Sequence, residues 1–412
     1  MPEFLSLVTP QEALDILFSQ LEVARTQETV STDQALGKIT AEDICSFQHL
    51  PDFRRSTVDG YAVRAWDTHG ASEGLPAYLQ LAGEILMGQE PGFSVSGSQC
   101  GLIHTGGMLP KGADAVVMLE DSQALENGEI EIYKPAAPGD NLIEVGEDVE
   151  KGAVVIPKGT RLRPAEIGGL MALGITELNV VKPPLIGVIS SGDEVIPPDR
   201  KPRVGQVRDI NSYTLGALLW DLGVRVHHYG IIPDSLDALR GVMVRALEEC
   251  DHLIVTAGSS ASARDHTAEI MNELGDPGVI VHGLQIRPGK PTILALADNK
   301  LMIGLPGNPV SALVIAQVIV KPILEKWMGM EFPRPRPVVE AELTVNIASQ
   351  AGREDWIPVR LIERSSGVWQ AEPVFGRSNL IFVLARADGL IRIPPAVTGL
   401  ETGAVVSVQL ME

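Results

Sequence analysis

The sequence predicts a multi-domain α/β plus β protein, with a central α/β domain whose sheet is of the parallel type. Two observations support this fold class. Residues 184–329 alternate short apolar strands with helices of about 10 to 15 residues. The regions on either side contain short alternating runs typical of strands joined by turns. With 412 residues, of which 45% are hydrophobic, the chain can fill several cores.

In the N-terminal region, residues 1–45, apolar residues recur at the spacing of a helix. Thr9 and Pro10 are the expected N-cap and first helical residue. The run "GAVVIPKGTRLRPAEIGGLMALG" later in the chain mixes short strands with a small helix. We expect residues 1–45 and 141–183 to form one mixed N-terminal domain. Residues 46–140, rich in glycine and alternating runs, predict a β-rich inserted domain between its two parts.

In the α/β domain, the runs "LIGVIS", "VRVHHYGII", "HLIVTA" and "LMIGL" predict buried strands. The intervening helices include "NSYTLGALLWDLG", with Asn211 as a possible N-cap and Gly223 as its end. This alternation favours a parallel sheet covered on both faces. The Pro-rich linker "FPRPRPVV" follows, and the alternating runs of 333–412 predict a C-terminal β-barrel-like domain or a sandwich.

Composition narrows the possible partners. A formal net charge of −20 excludes broad contact with nucleic acid or an anionic membrane, because both reward a positive field. The three cysteines, Cys45, Cys100 and Cys250, contain no CxxC pair, and the start of the chain lacks a signal-peptide pattern. A cytoplasmic, reducing location is expected. The apolar run 301–324 is broken by prolines, so it indicates a helix buried in protein or at a subunit interface rather than a membrane span.

An anion site is suggested by the loop "GLPGNP" at the end of the last predicted strand. Its glycines permit close backbone approach, Asn308 can cap, and Pro309 suits the first helical position. Taken alone, the loop also fits a tight strand-to-helix turn. Arg287 and Lys290 in "RPGKPT" add positive charge nearby; this run is not a P-loop, because the first glycine of that motif is replaced by Leu284.

Carboxylates at three strand ends suggest a cation site. Asp193, Glu194, Asp234 and Asp265 follow different strands of one predicted sheet, and Mg²⁺ prefers such oxygen ligands together with substrate oxygens. Each acid alone also fits a helix N-cap or first-turn position. In the β-rich region, Asp59 and the following glycine favour a plain turn, although its polar neighbours suit a ligand-facing site.

Five motifs in order resemble one family: "STVDGYAV", "HTGGMLPKGADAVVMLED", "SSGDEV", "RPGKPT" and "GLPGNPVSA". The resemblance covers nearly the whole chain and is to the molybdopterin molybdenumtransferases, the MoeA and gephyrin E-domain group. It implies a homodimer of elongated four-domain subunits. It also implies that molybdate is inserted into adenylylated molybdopterin, with Mg²⁺-dependent release of AMP. The family's cleft lies where the α/β domain of one subunit faces the β-rich domain of the other.

The resemblance assigns roles to individual residues. Catalytic roles fall on Asp59, Thr105, Glu194, Asp234 and Asp265, and the last three of these would hold Mg²⁺. Substrate-binding roles fall on Ser259, Ser260, Arg287, Lys290, Gly304, Pro306, Gly307, Asn308, Ser311 and Ser378. The chain departs from the family pattern at Ser262, where glycine is common, at Ser191 in place of threonine, and at Arg287 in place of lysine.

Alternatives remain at this level. A non-catalytic molybdopterin-binding or scaffold protein would share the fold, and a tungstate-inserting variant would share the loops. The surviving acids favour the enzyme over the scaffold, whereas molybdate and tungstate are too alike in size and charge for the loops to separate them. The resemblance also implies a molybdopterin adenylyltransferase and acceptor molybdoenzymes as partners.

Overall fold

The structure, a computed structural model, describes residues 7–23, 26–257, 261–333, 335–364 and 367–411, and omits the side chains of 261–265. The chain divides into two compact units. The first comprises the described parts of Met1–Ala41, Gly159–Arg163 and Leu178–Glu412. The second comprises Glu42–Lys158 and Pro164–Glu177.

The first unit contains a six-stranded sheet in the spatial order β2-β1-β3-β6-β5-β4. Its strands are β1 (Leu185–Ser191), β2 (Arg225–Ile232), β3 (His252–Ala257), β4 (Pro277–His282), β5 (Ile293–Ala297) and β6 (Lys300–Pro306). Strands β2, β1, β3 and β6 are parallel, as expected. Strands β5 and β4 are antiparallel to their neighbours, so the expectation of a wholly parallel sheet is wrong at this edge. Asp298 and Asn299, with φ of 48° and 65°, form a tight turn that reverses the chain between β5 and β6.

Four helices accompany the sheet: α1 (Asn211–Asp221), α2 (Leu236–Glu249), α3 (Ala261–Leu274) and α4 (Pro309–Ile315). Asn211 is the first residue of α1 and not its N-cap, which corrects that prediction. The capping hydrogen bond is instead made by Asp209, whose Oδ1 accepts from the Ser212 amide at 3.2 Å. Gly223, with φ of 79°, follows the end of α1 as predicted.

The apolar run after β6 is a buried helix, as its prolines predicted. Helix α4 continues through a π-helical turn, Ala316–Val320, into a further helix, Lys321–Trp327. Val314, Ile315, Ile319 and Leu324 are at most 1% exposed, so the apolar side chains belong to the core. In the described part of the chain, no helix is long and apolar enough to cross a membrane.

Both faces of the sheet are covered. Ile186 and Val188 of β1 belong to a core that also contains the helix Pro10–Phe18, whereas Ile189 packs into a second core with α2 and α3. This alternation follows from the period of two in a strand. The N-terminal helix begins with a capping box formed by Thr9 and Glu12, which confirms the predicted N-cap.

The C-terminal region is a closed five-stranded barrel, which selects the barrel over the sandwich. Its strands are β7 (Val338–Leu343), β8 (Glu354–Glu363), β9 (Trp369–Pro373), β10 (Gly389–Ile393) and β11 (Val405–Leu410). They pair in the order β8-β9-β7-β11-β10, and β10 returns to β8. A short strand, Ile286–Arg287, leaves the α/β domain and pairs in parallel with the start of β8.

The second unit is built on a mixed six-stranded sheet, which confirms the β-rich prediction. In spatial order its strands are Ala115–Met118, Gly60–Val63, Gln99–Ile103, Ala77–Glu84, Glu129–Ile132 and Ser122–Ala124. Gly60 is required by close strand packing, because a Cβ there would lie 2.0 Å from the carbonyl oxygen of Val117.

The remaining elements are short. The helices are Pro164–Ala172 and Phe382–Ala385, with 3₁₀ turns at Thr32–Gln34, Ala65–Thr68 and Leu119–Asp121. The paired strands are Gln27–Ser31 with Glu177–Val181, Ile44–Cys45 with Val154–Ile156, Arg55–Ser56 with Leu142–Ile143, Val195–Ile196 with Val207–Arg208, and Ile347–Ala348 with Gly399–Leu400.

His252 makes the stability of the α/β domain depend on pH. Burial lowers the pKa of this imidazole from 6.5 to about 4, and its Nδ1 accepts a hydrogen bond from the Leu301 amide. The unfolded state therefore binds the proton more tightly than the folded state does. The stability that the neutral His252 contributes is complete above about pH 6.5 and is lost as the pH falls towards 4. The linked free energy is about 2 to 4 kcal/mol.

We expect His252→Asn to reduce the difference in unfolding free energy between pH 7 and pH 4.5, measured by urea denaturation. The exposed residue His69 provides a control, and His69→Gln should keep the wild-type difference. An unchanged pH difference in His252→Asn would contradict this assignment.

Candidate functional site

Two carboxylates meet at the carboxyl ends of β1 and β2. Ser191 ends β1, and its Oγ donates to Oδ1 of Asp234, which follows β2, at 2.6 Å. The Asp234 amide in turn donates to Oδ1 of Asp193 at 3.2 Å. Parallel neighbouring strands place their following loops at the same edge, so this meeting is a direct result of the topology.

Glu194 lies beside this pair, on a turn that requires glycine. Gly192 has φ of 151°, and a Cβ there would come within 2.9 Å of the Glu194 carboxylate. Glu194 is half-buried and also lines a pocket described below. The "SSGDE" glycine is therefore needed both for its backbone conformation and to leave room for this side chain.

The acids suit a cation that also binds substrate oxygens. No described residue forms an ion pair with Asp193, Glu194 or Asp234. Mg²⁺ is commonly held by one or two carboxylates, with waters and phosphate oxygens completing the shell. Among the described residues, no group of three or more His, Cys, Asp or Glu side chains is placed to hold a metal ion. Asp265 lies in helix α3, but its side chain is outside the described part of the structure. Ser259 and Ser260 lie entirely outside the described residues.

A polar inner pocket of about 350 Å³ adjoins these acids. At its base, the buried Ser190 hydroxyl contacts Oδ2 of Asp209 at 3.0 Å and the hydroxyls of Ser212 and Thr256 at 2.7 and 3.3 Å. Sequence reasoning missed this network. The signal was the acid of "VRDINS" immediately before a predicted helix, where its side chain reaches the strand end.

Asn211 connects the inner pocket to the glycine loop. Its Nδ2 donates to the Gly307 carbonyl at 2.9 Å, and its buried Oδ1 has no partner among the described groups. Asn308 also lines the pocket and occupies the N-cap position of α4, although its side chain makes no capping bond. The predicted capping by Asn308 is therefore wrong, and Asn211 instead fixes the loop from the side.

The expected cradle of free amides after "GLPGNP" is only partly present. Pro309 is the first helical residue, as predicted, and has no N–H. The Val310 amide donates to the Ser378 carbonyl at 3.0 Å, so it does not point toward a ligand. Gly304 and Pro306 lie within β6, and a Cβ on Gly304 would be 3.1 Å from Ile293. The glycine at 304 therefore serves tight sheet packing.

A basic cleft of about 1220 Å³ lies between the α/β domain and the barrel. Its lining includes Arg287, Lys290, Asn308, Ser311, Arg353, Arg377 and Ser378. The structure thus brings together five of the predicted substrate-binding residues, Arg287, Lys290, Asn308, Ser311 and Ser378. The loop carrying the first two needs Gly289, whose φ is 114° and whose added Cβ would meet Ile315 at 2.3 Å.

Buried Asp355 holds two arginines of the basic cleft. Its Oδ1 accepts from Nε of Arg353 at 2.9 Å, its Oδ2 accepts from Ser349 at 3.0 Å, and Nη1 of Arg287 lies 3.9 Å away. Lys290 is exposed and forms no ion pair with any described residue. Arg353 and Asp355 were missed from sequence, since "GRED" shows no spacing that distinguishes a site from a solvated turn.

In the second unit, Asp59 is held by Thr105. Oδ1 of Asp59 accepts from the Thr105 amide at 2.7 Å and from its hydroxyl at 3.3 Å. The amide hydrogen bond holds the pKa of Asp59 below its usual value, so the side chain is anionic at neutral pH. The structure therefore brings these two predicted residues together.

Acids at the strand ends of an α/β sheet, next to a hydroxyl-lined pocket and a neighbouring basic cleft, are features suited to binding phosphate esters and oxyanions. Three family descriptions match the chain: "MoeA N-terminal region (domain I and II)" over residues 8–174, "Probable molybdopterin binding domain" over 187–326, and "MoeA C-terminal region (domain IV)" over 340–411. The chain belongs to the MoeA family.

Relatives and solved structures agree with this assignment. A putative molybdopterin biosynthesis protein of Methanocaldococcus jannaschii is 36% identical, with 96% of this chain and 95% of the relative covered. A molybdopterin molybdenumtransferase of Bacillus subtilis is 33% identical over 93% and 90%. The crystal structure of the molybdopterin biosynthesis MoeA protein from Pyrococcus horikoshii OT3 is 31% identical, covers 98% of this chain and 100% of that one, and has a TM-score of 0.86.

We expect Arg353→Ala to weaken molybdate binding, measured by titration calorimetry, by about 10- to 100-fold, because a charge-assisted contact is lost. Asp355→Asn should weaken it in the same direction by releasing both arginines. Arg360→Ala removes an exposed arginine of the same barrel, outside the basic cleft, and should bind like the wild type. Equal losses in Arg360→Ala and Arg353→Ala would show that binding is not local to the cleft.

Proposed function

We propose that this protein is a molybdopterin molybdenumtransferase, which inserts molybdate into adenylylated molybdopterin and releases AMP in the presence of Mg²⁺. The observation that supports it best is the separation of charge within the first unit. Carboxylates that form no ion pair with any described residue lie at the strand ends, and the basic cleft contains Lys290, which likewise has no described ion-pair partner, and two arginines that share Asp355. One substrate needs a cation to neutralise phosphate oxygens, and the other is itself a dianion.

The basic cleft would hold molybdate. Arg287, Lys290 and Arg353 supply positive charge, and the hydroxyl of Ser378 supplies a hydrogen bond. The fixed partner Asp355 keeps Arg353 ordered before the anion arrives, which lowers the cost of binding. In a chain with net charge −20, this local positive region is needed to attract a dianion at all.

The acids would hold Mg²⁺ through Glu194, Asp234 and Asp265. The bound cation would neutralise charge on the pyrophosphate linkage of the adenylylated substrate. Ser191 donates to Asp234 and thereby fixes the orientation of that carboxylate. Glu194 is half-buried and lines the inner pocket, at the same edge of the sheet as Asp234.

The pterin substrate is proposed to contact the glycine loop, through Pro306, Gly307, Asn308 and Ser311, together with Ser259 and Ser260, whereas the buried Gly304 supports the loop through sheet packing. Asp59 and Thr105 are proposed to act in the same reaction. The hydrogen bond from the Thr105 amide keeps Asp59 anionic and limits its rotation, as a positioned catalytic carboxylate requires.

We further propose a homodimer that works in the cytosol with an adenylyltransferase and acceptor molybdoenzymes. The three free thiols, Cys45, Cys100 and Cys250, fit a reducing compartment. Tungstate has the charge and shape of molybdate, so the basic cleft should accept both anions. Competition between them during metal insertion measures the preference.

The decisive assay is AMP release from adenylylated molybdopterin with Mg²⁺, with and without molybdate. We expect molybdate-dependent release, and about a 100-fold or greater loss in Asp234→Asn, because the carboxylate charge disappears from the cation site. Asp237→Asn, at an exposed acid of the first turn of α2, should react like the wild type.

Two results would count against this function. If the wild type binds molybdopterin tightly without releasing AMP, the protein is a binding or scaffold protein. If Asp234→Asn and Asp265→Ala together release AMP at the wild-type rate, the acids at the strand ends are not the cation site.

A further inference from the structure

His104 lies between two carboxylates in the second unit. It directly follows the strand Gln99–Ile103, which has the strand of Gly60 on one side and the strand ending at Glu84 on the other. Gly60 pairs with Ile103, and Glu84 pairs with Leu102. The sheet register therefore places Asp59, His104 and Glu84 next to one another at one edge.

Each ring nitrogen of His104 faces a different acid. Nε2 lies 3.0 Å from Oε1 of Glu84, and Nδ1 lies 3.7 Å from Oδ1 of Asp59. These are the two ion-pair contacts that the structure shows for the imidazole. Because the two nitrogens point in different directions, the three side chains do not converge on one point, and the arrangement is a bridge rather than a metal site.

The bridge depends on the proton state of the ring. At 3.0 Å the Glu84 contact is a hydrogen bond, whereas the Asp59 contact of 3.7 Å is too long for one. A neutral imidazole can therefore donate to Glu84 alone, whereas the positively charged imidazolium also attracts the Asp59 carboxylate. The same oxygen of Asp59 that faces Nδ1 also accepts the Thr105 amide. A change at His104 is thus transmitted directly to the carboxylate assigned to the reaction.

We propose that His104 is a positioning residue for Asp59, which in its protonated form ties Asp59 to Glu84 through its two ring nitrogens. The inference rests on the proposed function, in which Asp59 acts in the reaction. The ion-pair contacts shown for His104 are with Asp59 and Glu84, so its effect is exerted through Asp59. Glu84 serves as the fixed end of the bridge.

The first experiment does not need activity. The Thr105 amide reports on Asp59, so selective ¹⁵N-threonine labelling allows its chemical shift to be followed from pH 5 to pH 8.5. The wild type should show a pH-dependent step in this amide shift. The step should disappear in His104→Gln, become smaller in Glu84→Gln, and persist in His69→Gln, which alters an exposed histidine of the same unit.

The second experiment measures kcat/KM for molybdate-dependent AMP release over the same pH range. His104→Gln should lower kcat/KM by about 10-fold at the acidic end, because a loosened Asp59 reacts from poorer geometry. At the alkaline end it should approach the wild type, and His104→Lys should restore part of the loss by replacing the charge. A purely structural role would lower activity equally at all pH values.

The outcomes separate this inference from the proposed function. Loss of the Thr105 step in His104→Gln without any AMP release by the wild type would retain the bridge and overturn the function. AMP release with a Thr105 step that persists in His104→Gln would retain the function and overturn the bridge.

Discussion

The basic cleft depends on a strand pairing only two residues long. Ile286 and Arg287 of the α/β domain pair in parallel with Glu354 and Asp355 of the barrel, so Arg287 lies directly opposite Asp355. This register places the buried carboxylate between the two arginines. Without the pairing, Asp355 would lose Arg287 and be a buried charge with fewer partners, which is costly. One ladder therefore fixes both the interface of the two domains and the chemistry of the cleft.

A second buried ionic group reinforces the same ladder. Glu354 is 4% exposed, accepts two hydrogen bonds from Arg392 at 3.1 and 2.6 Å, and also accepts from Nε1 of Trp356. The bidentate arginine satisfies both carboxylate oxygens, and its hydrogen bonds to Glu354 raise the pKa of the Arg392 guanidinium. Consecutive residues Glu354 and Asp355 thus point to opposite sides of β8. One secures the barrel, and the other orients the cations of the cleft.

Much of the fold was readable from the sequence because its signals are local. The Thr9 cap, the end at Gly223, the parallel strands and the buried helix after Pro309 all follow from short patterns and were confirmed. The antiparallel edge was missed because the apolar runs 293–297 and 301–306 are separated by only three polar residues, 298–300. Its turn residues, Asp298 and Asn299, were the available signal for a hairpin.

The candidate site also contains residues that the sequence could place and residues that it could not. Residues tied to strand ends, such as Asp193 and Asp234, could be placed beside one another because parallel topology determines where loops converge. The place of Arg353 in the basic cleft could not be predicted. It depends on the pairing of Ile286–Arg287 with Glu354–Asp355, two segments about 70 residues apart in the chain. Asn308 shows the limit of a correct local pattern: its position at the helix start was right, but its side chain does not cap. Long-range partners, such as the Ser378 carbonyl on the Val310 amide, decide how a well-predicted turn is used.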